Sequence, residues 1–428
     1  MNVARRVYEF LKVGSQAHAQ WDLEVSMSIL KSKKKLLILL ALMLPICVVS
    51  FLEAGDMIGS KTAYAPAFYS TNIFLISIAI GLCAGLITGC IGAGGGFVIT
   101  PALMAAGVKG ILAVGTDLFH IFAKAIMGTA VHKKLGNVSV KLAMAFLVGS
   151  GAGTFIGGYI NKSLYDYDPL LSELFISLVY AVLLGFLGFY ALIDFLKARK
   201  SNDTGDAHGS SSTGMTGLAV AVQKVKIAPM ITFDEDFVPG GRKISGVIVA
   251  LGGIVVGLMA AIMGVGGGFI TFPMFVYAFG VSSMTTVGTD ILQIIFTAGL
   301  AAIPQYAIYG YVFYTLAMGM LLGSLIGIQV GALTTKVVKG IHIRGFYAVS
   351  ILAGFINRAA TLPKKLVELE YLNISKPVVN TIESVGNVVF WVVVSFFALW
   401  VIGMFVKNIG NLRGEDESIA PVLVKEEA

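Results

Sequence analysis

GLITGCIGAGGGFVITPALMAAGVKGILAVGTD (residues 85–117) and GLMAAIMGVGGGFITFPMFVYAFGVSSMTTVGTD (residues 257–290) are two copies of one pattern. Gly92, Gly94 to Phe97 and Pro101 return as Gly264, Gly266 to Phe269 and Pro273, each 172 positions later. After one inserted residue, Gly115-Thr116-Asp117 returns as Gly288-Thr289-Asp290. Paired glycine knots set in apolar sequence point to a duplicated transporter with its pathway between the halves.

The composition places that duplication in a membrane. Of the 428 residues, 57% are hydrophobic and 13% charged, and the mean hydropathy is +0.86. Soluble domains carry roughly 25% charged residues. The net charge of +7 sits mainly between apolar runs, where Lys and Arg report topology and an anionic inner leaflet. No nucleic-acid motif accompanies it. Cys47, Cys83 and Cys90 all lie in apolar runs, with spacing that fits neither a zinc site nor a disulfide framework.

Outward from the knots, apolar runs occur near 36–52, 73–91, 111–131, 140–160 and 174–196, then near 244–263, 285–303, 312–334, 343–361 and 386–406. Each is close to the roughly 20 residues that a helix needs to cross the hydrocarbon. The pieces 97–106 and 269–279, after the knots, are too short. The segments that follow are a basic amphipathic arm at 1–35, a first transmembrane helix and external loop at 36–72, and repeat 1 at 73–196. A cytoplasmic linker at 197–243, repeat 2 at 244–362, and an external loop, last helix and cytoplasmic tail at 363–428 complete the chain. Alternation in Val220, Val222, Val225 and Ile227 predicts a small strand in the linker.

Charge separates the two copies. His132, Lys133, Lys134 and Lys141 follow the third run, whereas the matching 304–311 carries no charge. Residues 161–173 hold Asp166, Asp168 and Glu173 with a single Lys162, whereas 335–344 hold Lys336, Lys339 and Arg344. Equivalent loops on opposite sides make the repeats inverted. The expected fold is an all-α polytopic membrane protein with inverted internal repeats. Each repeat has a Gly-rich broken or re-entrant helix, giving about eight full spans, two re-entrant elements and both termini in the cytoplasm.

The knots carry the expected chemistry. Consecutive glycines weaken a helix by roughly 1 kcal/mol each relative to alanine. Unwound backbone in hydrocarbon must be buried in protein or line a wet cavity. Unwinding would leave amide N–H groups at the start of the next helix, beside Phe97 or Phe269, as an anion site. The substrate-binding candidates are therefore Gly92, Gly94, Gly95, Gly96, Phe97, Gly264, Gly266, Gly267, Gly268 and Phe269, with Thr116, Thr289, Lys124 and Gln293. Helix packing alone is the competing account of the glycines. Its usual spacing, Gly-x-x-x-Gly, occurs instead at Gly149-Gly153-Gly157 and Gly323-Gly327-Gly331.

Gly-Thr-Asp reads as the opening of the next long helix, which puts Asp117 and Asp290 near N-termini as caps, loop-orienting groups or exchangers of a coupling proton. Asp117, His120 and Lys124 fall on one face, matched by Asp290, Gln293 and Thr297 in the second copy. Asp117, His120 and Asp290 are the proton-coupling candidates. Lys124 costs roughly 3 kcal/mol to insert in a span, so it should pair with a carboxylate such as Asp117 or line an aqueous path to an oxyanion. No catalytic, metal or cofactor constellation is expected.

These residues resemble the sulfite exporter TauE/SafE family of permeases, through the doubled Gly-x-Gly-Gly-Gly-Phe with its proline, Gly-Thr-Asp, and His132-Lys133-Lys134-Leu135-Gly136-Asn137-Val138. The resemblance covers about 73–362. It implies movement of a small sulfur anion, such as sulfite, sulfoacetate or another sulfonate, across the bacterial cytoplasmic membrane. Proton or sodium coupling and rocking of the halves complete the expectation. The alternatives are an anion channel, a cation-coupled carrier whose knots present carbonyls, and a membrane enzyme using Asp117 and His120.

Overall fold

The computed structural model describes residues 71–91, 95–134, 139–200, 217–234, 240–335, 338 and 340–408. The expected N-terminal arm, the first apolar run, Gly92, Gly94, the centre of the linker and the C-terminal tail lie outside them. Repeat 1 comprises α1 (Thr71–Ile91), the short α2 (Gly96–Ala105), α3 (Gly110–Lys134), α4 (Val140–Tyr167) and α5 (Pro169–Lys200). Between the repeats lie α6 (Gly217–Lys224), β1 (Met230–Phe233) and β2 (Arg242–Ser245). Repeat 2 comprises α7 (Gly246–Met263), the short α8 (Gly268–Pro273) with a π-helical extension Met274–Phe279, and α9 (Ser283–Ala301) with a second extension Ala302–Ala307. α10 (Tyr314–Thr334), α11 (Gly340–Glu368) and α12 (Lys376–Lys407) follow.

Seven of these helices, α1, α4, α5, α7, α10, α11 and α12, are long and apolar enough to cross a membrane. Large apolar side chains point outward from them, with Val148 and Phe186 more than two-thirds exposed. Such an apolar exterior suits lipid, not water. The chain is a polytopic all-α membrane protein. In each repeat the knot separates a helix of spanning length from a short apolar one, as the sequence predicts.

The repeats interlock through their glycines. The closest helix pairs are α1 with α10 and α4 with α7, so each joins one repeat to the other. A Cβ at Gly149, Gly153 or Gly157 would strike the carbonyls of Ala250, Ile254 or Leu258 at 1.7, 2.2 and 2.6 Å. One at Gly323, Gly327 or Gly331 would strike those of Ile78, Leu82 or Leu86 at 2.0, 2.4 and 2.4 Å. Backbone therefore lies directly on backbone along both seams, which is what small-residue spacing permits. Equivalent helices also meet across the repeats, α3 with α9 and α5 with α11, and α4 and α10 further touch α9 and α3.

The linker departs from expectation. The Val220–Ile227 alternation is not a strand: α6 covers 217–224 and turns Ala219 into the protein. Ala219, Ala221 and Gln223 favour helix, and burial of one helical face outweighs the period-two pattern. The strands lie further on, pairing antiparallel with Met230 opposite Ser245 and Phe233 opposite Arg242. Three contacts tie this module to the end of the second short helix: Gln223 Nε2 donates to Phe279 O, Arg242 Nη1 to Gly280 O, and Ser282 N and Oγ to Asp234.

Candidate functional site

The second knot is a true break. α7 stops at Gly264, whose φ of 82° lets its N–H reach back to Ala260 O. Gly266 and Gly267 follow at φ 65° and 93°, so three of four residues hold the left-handed conformation that only glycine adopts freely. α8 then starts, with Ile270 and Thr271 donating to Gly267 O.

The two sides of the break are treated oppositely. The last carbonyls of α7 are occupied: Asn161 Nδ2 donates to Ile262 O at 2.9 Å, Tyr306 OH to Ala261 O at 2.7 Å, and Tyr180 OH to Met263 O. Among the described residues, the N–H groups of Val265, Gly266, Gly267, Gly268 and Phe269 meet no acceptor. A buried unpaired donor costs roughly 1–3 kcal/mol. The last carbonyls of α7 are thus filled, whereas along the break itself neither this buried run of donors nor the carbonyls of Gly264, Val265 and Gly266 meets a partner among the described residues.

The two knots meet. A Cβ on Gly96 would lie 2.8 Å from Val265 Cα, and the Phe97 and Phe269 rings stand 5.9 Å apart. Ile121 of α3 reaches both, approaching the Cβ positions of Gly96 and Gly266 to 3.1 and 2.6 Å. Gly95, Gly96 and Phe97 are buried, as are residues 264–269. In the first copy Gly95 O accepts from Val98 and Ile99, and a Cβ at Gly95 would meet Ala84 O at 2.8 Å.

Asp117 and Asp290 are not at helix starts, which corrects the reading of Gly-Thr-Asp. α3 begins at Gly110 and α9 at Ser283, so both carboxylates lie about two turns in and are buried. Gly115 sits mid-helix because a Cβ there would meet Tyr311 O at 2.5 Å: the glycine serves close approach, not a helix start. Ser282 is the N-cap of α9, its Oγ accepting from Thr285 N. Thr116 and Thr289 turn to the opposite repeat. Thr116 Oγ1 accepts from Phe313 N ahead of α10, and Thr289 Oγ1 from Ser139 N ahead of α4.

The two polar clusters differ in completeness. In the second copy Gln293 Nε2 donates to Asp290 Oδ1 at 2.8 Å, Thr297 Oγ1 donates to Gln293 Oε1 at 2.7 Å, and Ser150 meets Thr297 at 2.8 Å. In the first, Thr100 Oγ1 donates to Asp117 Oδ2 at 3.0 Å and His120 Nε2 meets Ser324 Oγ at 3.0 Å. Asp117 Oδ1, His120 Nδ1 and Lys124 Nζ are buried without a hydrogen-bond partner. Asp117 Oδ1 and His120 Nδ1 approach only to 3.6 Å. The expected Lys124–Asp117 ion pair is absent among the described residues. Lys124 keeps part of its stem exposed and its ammonium buried.

The profile of a family described as "Sulfite exporter TauE/SafE" matches residues 77–357. The chain belongs to the sulfite exporter TauE/SafE family. It is 27% identical over 272 residues to "Probable membrane transporter protein YunE" of Bacillus subtilis, covering 60% of this chain and 87% of that protein. "Probable membrane transporter protein YjnA" of the same organism is 24% identical over 263 residues, 60% and 87% of the two chains. "Probable membrane transporter protein MJ0441" of Methanocaldococcus jannaschii is 21% identical over 282 residues, 62% and 88%. No solved structure matches.

As a multi-pass transporter of the TauE/SafE family, the protein uses several residues that the motifs do not announce. Thr100 and Thr271 bond the carboxylate clusters to the short helices, and Asn161, Tyr180 and Tyr306 close the carbonyl side of the break. Ser150 and Ser324 cross between repeats. Each follows the first glycine of its Gly-x-x-x-Gly run, so their repetition was a readable signal.

Proposed function

We propose that this protein is a secondary transporter for a small sulfur oxyanion or organosulfonate, with the substrate held between the two knots. What supports this reading is the buried run of N–H groups from Val265 to Phe269 that meets no acceptor among the described residues, next to α7 carbonyls already taken by Asn161, Tyr306 and Tyr180. The carbonyls that end α7 are not available to a cation, which would have to rely on those of Gly264 to Gly266. Lys124, one turn along α3 from the Ile121 that touches both knots, has a buried ammonium without a hydrogen-bond partner and supplies charge of the right sign. Backbone donors carried on glycines suit a compact tetrahedral or pyramidal oxyanion, once Ile121 and Val256, which pack on Gly266 and Gly267, give way.

The cross-repeat pairing supports an inverted duplication, which we place in the bacterial cytoplasmic membrane with the linker and both termini on the cytoplasmic side, as the charge pattern of the loops suggests. Burial of Gly95 to Phe97 and of residues 264–269 fits an occluded arrangement from which either side would open in turn. Asp117, His120 and Asp290 are the groups through which a coupling proton would act. Thr116 and Thr289 we assign to joining the repeats instead of holding substrate.

Thermal unfolding of the purified protein with sulfite, thiosulfate, sulfoacetate, taurine and sulfate tests the reading. Saturating ligand at 100 times its Kd stabilises by about 2.7 kcal/mol, so at least one anion should raise Tm by several degrees. A flat response to all five would remove the anion site. Currents through proteoliposomes that never saturate with substrate would replace the carrier with a channel.

A further inference from the structure

Arg358 of α11 is buried, 2% exposed, one residue beyond the segment that matches the family. Its hydrogen-bond partners are neutral. Nε and Nη2 both donate to Asn357 Oδ1 at 2.7 and 2.5 Å, and Nη1 donates to the Met104 sulfur at 3.3 Å. A guanidinium has five N–H donors, so two meet no acceptor among the described residues. The nearby carboxylates are engaged elsewhere: Glu173 holds Lys365 at 2.6 Å and Glu383 holds Lys364 at 2.7 Å. A buried arginine without a carboxylate is costly, and proteins ordinarily pair it.

Its surroundings form a track. α5 and α11 run antiparallel, with Glu173 opposite Lys365, Leu184 opposite Gly354 and Gly188 opposite Leu352. The same register sets Ser177 against Thr361 and Tyr180 against Arg358. Ser177 Oγ is fully buried and has no partner. The strip begins at the partly exposed Glu173–Lys365 pair and ends at Tyr180, whose hydroxyl sits on Met263 O, the last residue before the second knot. Gly354, one turn before Arg358, lies 3.7 Å from Phe97 O of the first knot when given a Cβ. Arg358 is therefore about 6 Å of helix rise from the knots.

We propose that Arg358 is a second anion-binding station, on a polar seam between α5 and α11 that leads from the Glu173–Lys365 pair to the knots. It rests on the anion reading given above. Its two unfilled N–H donors would hold a sulfite-sized oxyanion in transit, and the neutral Asn357 positions the guanidinium without cancelling its charge.

Uptake of radiolabelled sulfite and sulfoacetate into proteoliposomes tests it. R358M should raise KM at least tenfold, and R358K less. N357D is the sharper variant, because a carboxylate placed on the guanidinium should raise KM comparably while Tm stays level or rises. A purely structural arginine predicts the same level or raised Tm but an unchanged KM. KM within twofold of wild type in both R358M and N357D overturns the station. K124M run in parallel separates the readings. If K124M raises KM and the Arg358 variants do not, only the station fails; if wild type carries neither anion, both fail.

Discussion

Lys124 stands where its counterpart in the other repeat, Thr297, closes a hydrogen-bonded chain, and the exchange leaves an ammonium buried beside an open carboxylate oxygen and an open imidazole nitrogen. Removing such a charge relieves desolvation, so K124M should unfold no more easily than wild type. It should nevertheless weaken anion binding at least tenfold, about 1.4 kcal/mol. Equal affinity by titration calorimetry would confine Lys124 to structure. His120 offers a companion experiment, since H120Q copies Gln293. If His120 passes the coupling proton, H120Q transports with a flattened pH profile, and an unaltered profile clears it of that role. The Asp-x-x-His-x-x-x-Lys face was readable in the sequence because helical spacing alone assembles it. Which of its atoms would lack partners was not, because Ser324 and Thr100 arrive from other helices.

At the scale of helices, the glycine seams carry the strongest stability claim. Gly153 and Gly327 face carbonyls of the opposite repeat at 2.2 and 2.4 Å from a built Cβ, and no side-chain motion relieves a clash with backbone. G153L or G327L should cost more than the 1–3 kcal/mol usual for overpacking. The purified variant would show this as a fall in Tm and a broader elution profile; a Tm within two degrees of wild type would mean the seams can part to admit a side chain. These runs were legible because Gly-x-x-x-Gly has one dominant use in lipid. The glycines of Gly-Thr-Asp were misread for the matching reason. In water an isolated helix glycine weakens the helix and suggests a terminus, but Gly115 instead buys a close approach to Tyr311. The linker strand was misplaced because four alternating valines and isoleucines cannot register that Ala219 will be buried on a helix.

For the molecule as a whole, the seams decide which parts can move. Sequence alone suggests rocking of one repeat against the other, but α1 is locked to α10 and α4 to α7, backbone on backbone, across the repeat boundary. Packed interfaces of this kind are bistable or fixed, not continuously deformable. The moving bodies should then be the two cross-repeat pairs, hinged where side chains mediate contact, at α3–α9 and α5–α11. There Gly299 meets the Phe122 ring and Gly354 meets Leu184. A crosslink separates the alternatives. With Cys47, Cys83 and Cys90 replaced, a thiol pair at Leu184 and Gly354 joins the proposed bodies, and one at Ser77 and Gly319 joins α1 to α10 within a body. A short bifunctional thiosulfonate should stop uptake in the first variant and spare it in the second, with reduction restoring the first. Comparing each variant before and after crosslinking removes any effect of the substitutions themselves. If the α1–α10 crosslink also abolishes transport, that seam slides during the cycle, and the repeats themselves must be the units that rock.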